Sequence, residues 1–356
     1  MKNERLSNPT SDVISQLRLP LIILVTYAHS YGQVDEGYRL LSSDWDTYQF
    51  LKLLVSQTLV KVVVPVFFII SGYLFFANVR EWSVNVYRQK IIRRFKTLLL
   101  PYLLWNLLMA VKLRTFSWNM FWVYGDHAGM QIDWLGNENW MTAPANMPLW
   151  FLRDLMVVSL LTPIIYILLK RFGWYVMTPL ALLYLSGIGA FAIPGLSMYS
   201  MFFFSLGAFI SIRKVDLVTA MLHYETTAYA DSLLLAVLMM VSFGTSIFSS
   251  LMLCFRITGA VSVFCLAKRF LSSTNLRIPK IVYDSSYFIY LAHYVFFLSF
   301  LDQGLFQLFG QSQASLSAHY LLCPLLKAFI FIGIYWIYVC IKQILDVRFG
   351  KTNKFL

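Results

Sequence analysis

Apolar residues in this chain do not recur every third or fourth position; they run on in stretches near 20 residues, with polar residues collected between the stretches. A helix needs about 20 predominantly apolar residues to cross a bilayer. The runs therefore predict membrane helices over 13–31, 56–78, 97–116, 148–169, 174–193, 197–212, 229–248, 250–267, 283–302 and 319–342. The fold class expected is all-α, a polytopic integral membrane bundle of about ten transmembrane helices. So many spans leave no room for a soluble catalytic domain, and residues 1–356 read as a single membrane domain. Neither a tandem repeat nor an inverted repeat of the transporter kind is apparent.

Composition reinforces the pattern. Hydrophobic residues make up 59% of the 356 and charged residues 13%, about half the charged share of soluble domains, and mean hydropathy is +0.65. A net charge of +12 would suit nucleic acid if it formed a basic patch on a folded surface. Here the basic residues fall between apolar runs: Lys2, Arg5 and Arg18 at the first, Arg88 to Lys96 after the second, then pairs such as Lys170–Arg171, Arg213–Lys214 and Lys268–Arg269. Loops of the opposite side hold only Arg39, Lys112 and Arg114. That asymmetry puts both termini in the cytoplasm and the protein, multi-pass, in the cell (inner) membrane, with lipid and not nucleic acid as its surroundings. The first run follows basic residues as a signal peptide would, but polar residues interrupt it and a small-x-small cleavage site is missing, so it reads as a retained span. Cys254, Cys265, Cys323 and Cys340 lie inside apolar runs without CxxC spacing, which points to neither a disulfide framework nor a metal.

Ionisable groups inside lipid are costly and mark function. Arg18 and His29 are eleven positions apart; at about 100° per residue they return to within about 20° of one helix face, separated by roughly 16 Å along the axis. Pro20 can kink the first turn. A guanidinium near one leaflet and an imidazole toward the other suit an anionic donor and a neutral acceptor arriving from opposite sides. The blander alternative makes Arg18 a positive-inside anchor and His29 an interfacial residue. Two outer segments, 32–55 and 117–147, are acidic and aromatic, with Asp35, Glu36, Asp44 and Asp46 in the first and Trp118, Trp122, Asp126, His127, Asp133, Trp134, Glu138 and Trp140 in the second. Such residues anchor a loop at the interface or stack on a sugar. Lys61, Arg153, Arg256 and Lys327 have few intramembrane acids to pair with, which argues for a cavity admitting an anion or water.

Four further runs stand in order with Arg18-x10-His29: VPVFFIISGYLFF (64–76), YRQKIIRRFKTLLLPYLLW (87–105), MPLWFLRDLMV (147–157) and SSYFIYLAHYVFF (285–297). With them the chain resembles, over nearly its whole length, the membrane-bound acyltransferase-3 family. That resemblance implies a ten-helix membrane enzyme moving acyl groups, usually acetyl, from cytoplasmic acyl-CoA to sugar hydroxyls of envelope glycans. It implies that His29 is catalytic with Arg18 as its partner. The family's Arg-x-x-Arg falls on Arg93 and Lys96, so lysine stands second, keeping the charge but losing the planar fork; Arg94 can compensate. The family's SGxL matches Ser71, Gly72 and Leu74, and its other runs match Trp150 to Leu152 and Tyr290 to His293.

Each residue carries a plainer alternative. Arg93, Arg94 and Lys96 suit the phosphates of CoA and equally lipid headgroups. Ser71 and Gly72 suit close helix packing. Arg153 can snorkel to water, with Asp154 pointing elsewhere on the helix. His293 suits packing or a cavity lining. The expectation is an O-acyltransferase with acetyl-CoA or another acyl-CoA as donor, a glycan or lipid-linked sugar as acceptor, His29 as general base, donor contacts from Arg18, Arg93, Arg94 and Lys96, and cavity contacts from Ser71, Gly72, Trp150, Arg153, Glu138 and His293. A carboxylate to orient His29 is left open among Asp35, Glu36, Asp133 and Glu138. The alternatives are a multi-span transporter or flippase for a glycan or glycolipid, and a glycan polymerase working on 117–147.

Overall fold

Each of the ten apolar segments overlaps a helix, and among the described residues there is no strand. The structure, a computed structural model, describes residues 9–30, 34–35, 37–42, 45–79, 81–115, 144–187, 195–296, 304, 307, 310 and 312–348. Among the described residues four helices are long and apolar enough to cross a membrane: α1 (Pro9–Ser30), α2 (Thr47–Phe76), α11 (Ser246–Ser273) and α14 (Gln313–Arg348). A bent pair, α5 (Trp150–Leu160) and α6 (Thr162–Phe172), adds a fifth. This is fewer than the expected ten because several helices are short or broken. The α7 (Trp174–Leu185) and α8 (Met198–Ile212) helices have 12 and 15 residues, and 15 residues rise only about 22 Å against about 30 Å of hydrocarbon.

Prolines stand near the breaks. In α2 the ladder passes through a π segment, Leu53–Thr58, and a 3-10 segment, Leu59–Val62, before regular helix resumes. Pro65 follows by one turn and can give no hydrogen bond to the Lys61 carbonyl. After the amphipathic α3 (Val84–Arg94), another π segment, Phe95–Leu99, precedes α4 (Leu100–Thr115). Pro101 frees the Thr97 carbonyl there, and the Tyr287 hydroxyl donates to it at 2.7 Å. Between α5 and α6 the chain bends by 62°. Pro163 can give no hydrogen bond to the Ser159 carbonyl, and the Thr162 hydroxyl donates to it at 2.7 Å.

The core lies where α1, α2, α8 and α11 meet. Gly72 of α2 and Gly207 of α8 face each other so closely that a Cβ on Gly72 would overlap the Phe204 carbonyl, and one on Gly207 the Ile69 carbonyl. Small residues permit that backbone approach. Gly259 of α11 does the same against Val62. The N-terminal end of α1 is tied down by polar contacts: Thr10 donates to Asp216 at 2.6 Å, Gln16 exchanges two hydrogen bonds with the Ile278 backbone, and Arg277 pairs with Asp12 at 3.4 Å. Asp216 also caps α9 (Leu217–Leu222). The remaining helices are α10 (Glu225–Val241), α12 (Lys280–Asp284) and α13 (Ser286–Ala292). Large apolar side chains such as Leu233, Leu266, Phe329 and Trp336 are exposed on the outer helix faces, as a bilayer-facing surface requires.

Candidate functional site

The helices leave a cavity of about 1140 Å³ between α1, α2, α5 and α11. Arg18 and His29 both line it, at opposite ends of the exposed stripe of α1. Ser71 and Lys61 enter it from α2, Arg94 from α3, Trp150 and Arg153 from α5, and Arg256 from α11.

The wall opposite α1 is built by α5. Arg153 donates through Nε and Nη2 to one oxygen of the buried Asp154, at 3.2 and 3.0 Å, and Ser197 donates to the other at 2.9 Å. The sequence expectation that Asp154 points away from Arg153 is thereby corrected. Neighbouring Cβ atoms do diverge by about 100°, but the long arginine stem folds back until its guanidinium reaches the adjacent carboxylate. Trp150 is held at the mouth by the short segment before it. The Asn146 backbone donates to Asn106, its side chain donates to the Leu291 carbonyl, and the Tyr290 hydroxyl donates to the Pro148 carbonyl at 2.6 Å.

His293 closes α13. Its Nδ1 lies 2.8 Å from the Tyr290 carbonyl and 3.2 Å from that of Ile289. Carbonyls only accept, so Nδ1 carries the hydrogen and satisfies the end of the helix. Nε2 is then the lone-pair nitrogen of the neutral ring; it is buried and has no hydrogen-bond partner among the described residues. The His29 ring is 5.4 Å away, centre to centre, and Tyr294 lies 5.8 Å from His29 on its edge. Among the described residues no carboxylate forms an ion pair with His29. Asp35 is occupied in its own turn, accepting from the Gly37 backbone. Glu36, Asp133 and Glu138, with the other residues singled out in 117–143, lie outside the described residues.

The basic segment divides by helix face. Arg94 is half-buried, donates to the Ser71 carbonyl at 3.3 Å and stacks over Phe75. Arg93 and Lys96 are exposed and do not line the cavity; Arg93 borders a separate surface cleft with Gln89 and Lys90. Gly72 lies on the packing face of α2 and also stays out of the cavity. Lys327 is buried in α14, near His293. Sequence reasoning did not single out Tyr199, whose ring lies under the Arg256 guanidinium at 4.9 Å, nor Ser197, and only a three-dimensional arrangement reveals them.

A family model described as an acyltransferase domain matches residues 13–342, nearly the whole chain and every element lining the cavity. The chain belongs to the acyltransferase-3 family. Among curated proteins it is similar to the succinoglycan biosynthesis protein ExoH of Rhizobium meliloti (strain 1021), with 27% identity over 216 residues. The match takes in 57% of this chain and 55% of that protein, so the chain spans about half the length of the relative. No solved structure matches it. The family match covers the elements that line the cavity, and several of those helices are long and apolar enough to cross a membrane.

Proposed function

We propose that this acyltransferase moves an acyl group, acetyl in the simplest case, from acyl-CoA at the cytoplasmic face to a hydroxyl of an envelope or exopolysaccharide sugar. The observation that carries the proposal is the single cavity lined by Arg18 and Arg94 toward one end and by His29 at the other. The proposed topology has about ten spans and both termini in the cytoplasm, supported by the distribution of basic residues. Arg18 and Arg94 bind the phosphates of the donor, and the pantetheine arm runs along α1 to place the thioester carbonyl beside His29.

Neutral His29 takes the proton of the sugar hydroxyl as that oxygen attacks the carbonyl carbon. The new C–O bond forms, the C–S bond breaks, and the CoA sulfur leaves with the proton from the imidazolium. His293 is proposed for the orienting part that a carboxylate plays in hydrolase triads: the two rings, 5.4 Å apart centre to centre, need only a small approach for its unpartnered Nε2 to accept the N–H of His29 and leave the other His29 nitrogen facing the hydroxyl. A glycan acceptor is favoured by the similarity to a protein named for succinoglycan biosynthesis.

The test is mass spectrometry of envelope glycans from cells carrying wild-type or variant protein. His29→Ala is expected to lower acylation by about 100- to 10,000-fold while the protein still accumulates in the membrane. His293→Ala should lower it less, with a partial return in His293→Gln, whose amide can accept the same hydrogen bond. Undiminished acylation in His29→Ala would sink the mechanism.

A further inference from the structure

The cavity has a charge imbalance that donor phosphates do not explain. Five cationic side chains line it, Arg18, Lys61, Arg94, Arg153 and Arg256, against two carboxylates, Asp154 and Asp284. Arg153 and Ser197 already occupy Asp154. Arg18 and Arg94 belong to the donor end. Lys61 and Arg256 remain, and they sit together: the Lys61 ammonium is an electrostatic neighbour of both Arg256 and His29.

The fold builds this pair. Gly259, three residues after Arg256 and so on the same helix face, lets α11 approach Val62 so closely that a Cβ would collide with the Val62 side chain. Arg256 is thereby brought alongside Lys61, whose own direction is set by the 3-10 segment of α2. The Tyr199 ring covers one face of the guanidinium, and Nε of Arg256 is buried with no hydrogen-bond partner among the described residues. Two like charges side by side within a membrane bundle are expensive. An anion between them turns that cost into attraction, and the planar guanidinium grips a carboxylate with two parallel bonds.

We propose that Lys61 and Arg256 form an anion subsite that holds a carboxylate carried by one of the two substrates beside the reacting carbon. The inference rests on the acyltransferase reading, which puts the thioester carbonyl at His29. With the CoA phosphates held roughly 16 Å away at the Arg18 end, the group beside Lys61 is either the tail of the acyl group, as in the half-thioester of a dicarboxylic acid, or an acid on the acceptor sugar.

The experiment uses the full-length protein in lipid nanodiscs and two pairs of probes. Binding of acetyl-CoA is compared with that of succinyl-CoA, and binding of a glucose disaccharide with that of its glucuronate counterpart. In the wild type, one pair should show about a tenfold preference for the carboxylate-bearing member, and which pair does so identifies the substrate carrying the charge. In Lys61→Gln and Arg256→Gln the preference should fall to within about threefold, whereas Lys61→Arg, which keeps the charge, should retain it and serves as the folding control. No preference in either wild-type pair, or a preference untouched by both variants, overturns the subsite. So does an equal loss of turnover for all probes with binding ratios unmoved, which would make the pair ligands of the reaction's oxyanion. Failure of the acyltransferase reading has a different signature: neither CoA thioester binds, whatever the sugar pair does.

Discussion

Arg94 and its neighbours separate by helix face, and their effects should separate as well. Only Arg94 points into the cavity, braced by the Ser71 carbonyl and the Phe75 ring. Arg94→Ala should weaken acyl-CoA binding by about tenfold or more, the scale of a hydrogen bond to a charged group, while Arg93→Ala and Lys96→Ala stay within about threefold. Titration of acyl-CoA into the three variants in nanodiscs checks this, and in the wild type the affinity should decline as salt rises. Equal losses in all three would return the cluster to a general attraction for anionic headgroups. At this scale the sequence was legible where a residue's position along a helix fixes its direction: eleven positions between Arg18 and His29 place both on one stripe. It was not legible where a long side chain decides, as when Arg153 folds back on Asp154, or where the partner is distant in sequence, as with Tyr199 beneath Arg256.

At the scale of elements, hydropathy located the helices but averaged over their interruptions. Pro65, Pro101 and Pro163 stand in plain view, yet a window of 20 apolar residues reads across them and across the π and 3-10 segments of the same helices. The short ties between elements are invisible to hydropathy too. Asp216 is one: it caps α9 and accepts from Thr10 of α1. Burial alone would raise its pKa, but the Thr10 hydroxyl and the backbone and hydroxyl of Thr219 outweigh burial and hold the carboxyl below its usual range. Because the folded value is lowered, the stabilisation is complete above the unfolded value near 4 and is lost as pH falls through the folded one. Asp216→Ala should therefore cost about 1 kcal/mol at pH 7, and the gap from wild type should narrow below about pH 4. Thermal unfolding in detergent across that range measures it; a gap that widens in acid would contradict the assignment.

For the whole molecule, sidedness is what separates acylation of an exported glycan from acylation of a cytoplasmic precursor. With the proposed topology, a cysteine at Ser42 lies outside and one at Ser83, the cap of α3, lies inside. In a background with the exposed Cys254 and half-exposed Cys340 replaced by serine, an impermeant thiol reagent should label Ser42→Cys in intact spheroplasts and spare Ser83→Cys. The reverse pattern would turn the molecule over and place His29 on the cytoplasmic side.

The size of the central cavity also bears on the order of events in time. At about 1140 Å³ it exceeds the roughly 300–1,000 Å³ that accommodates a single drug-sized ligand, so the donor's arm and a sugar can be present together. On the proposed function, neither substrate has to leave before the other arrives, and direct passage of the acyl group between them is the expected route. Initial rates measured at several fixed acceptor concentrations should give double-reciprocal lines that intersect. Parallel lines, the mark of an enzyme that parks the acyl group on a side chain between two separate visits, would show that the space is used by one guest at a time.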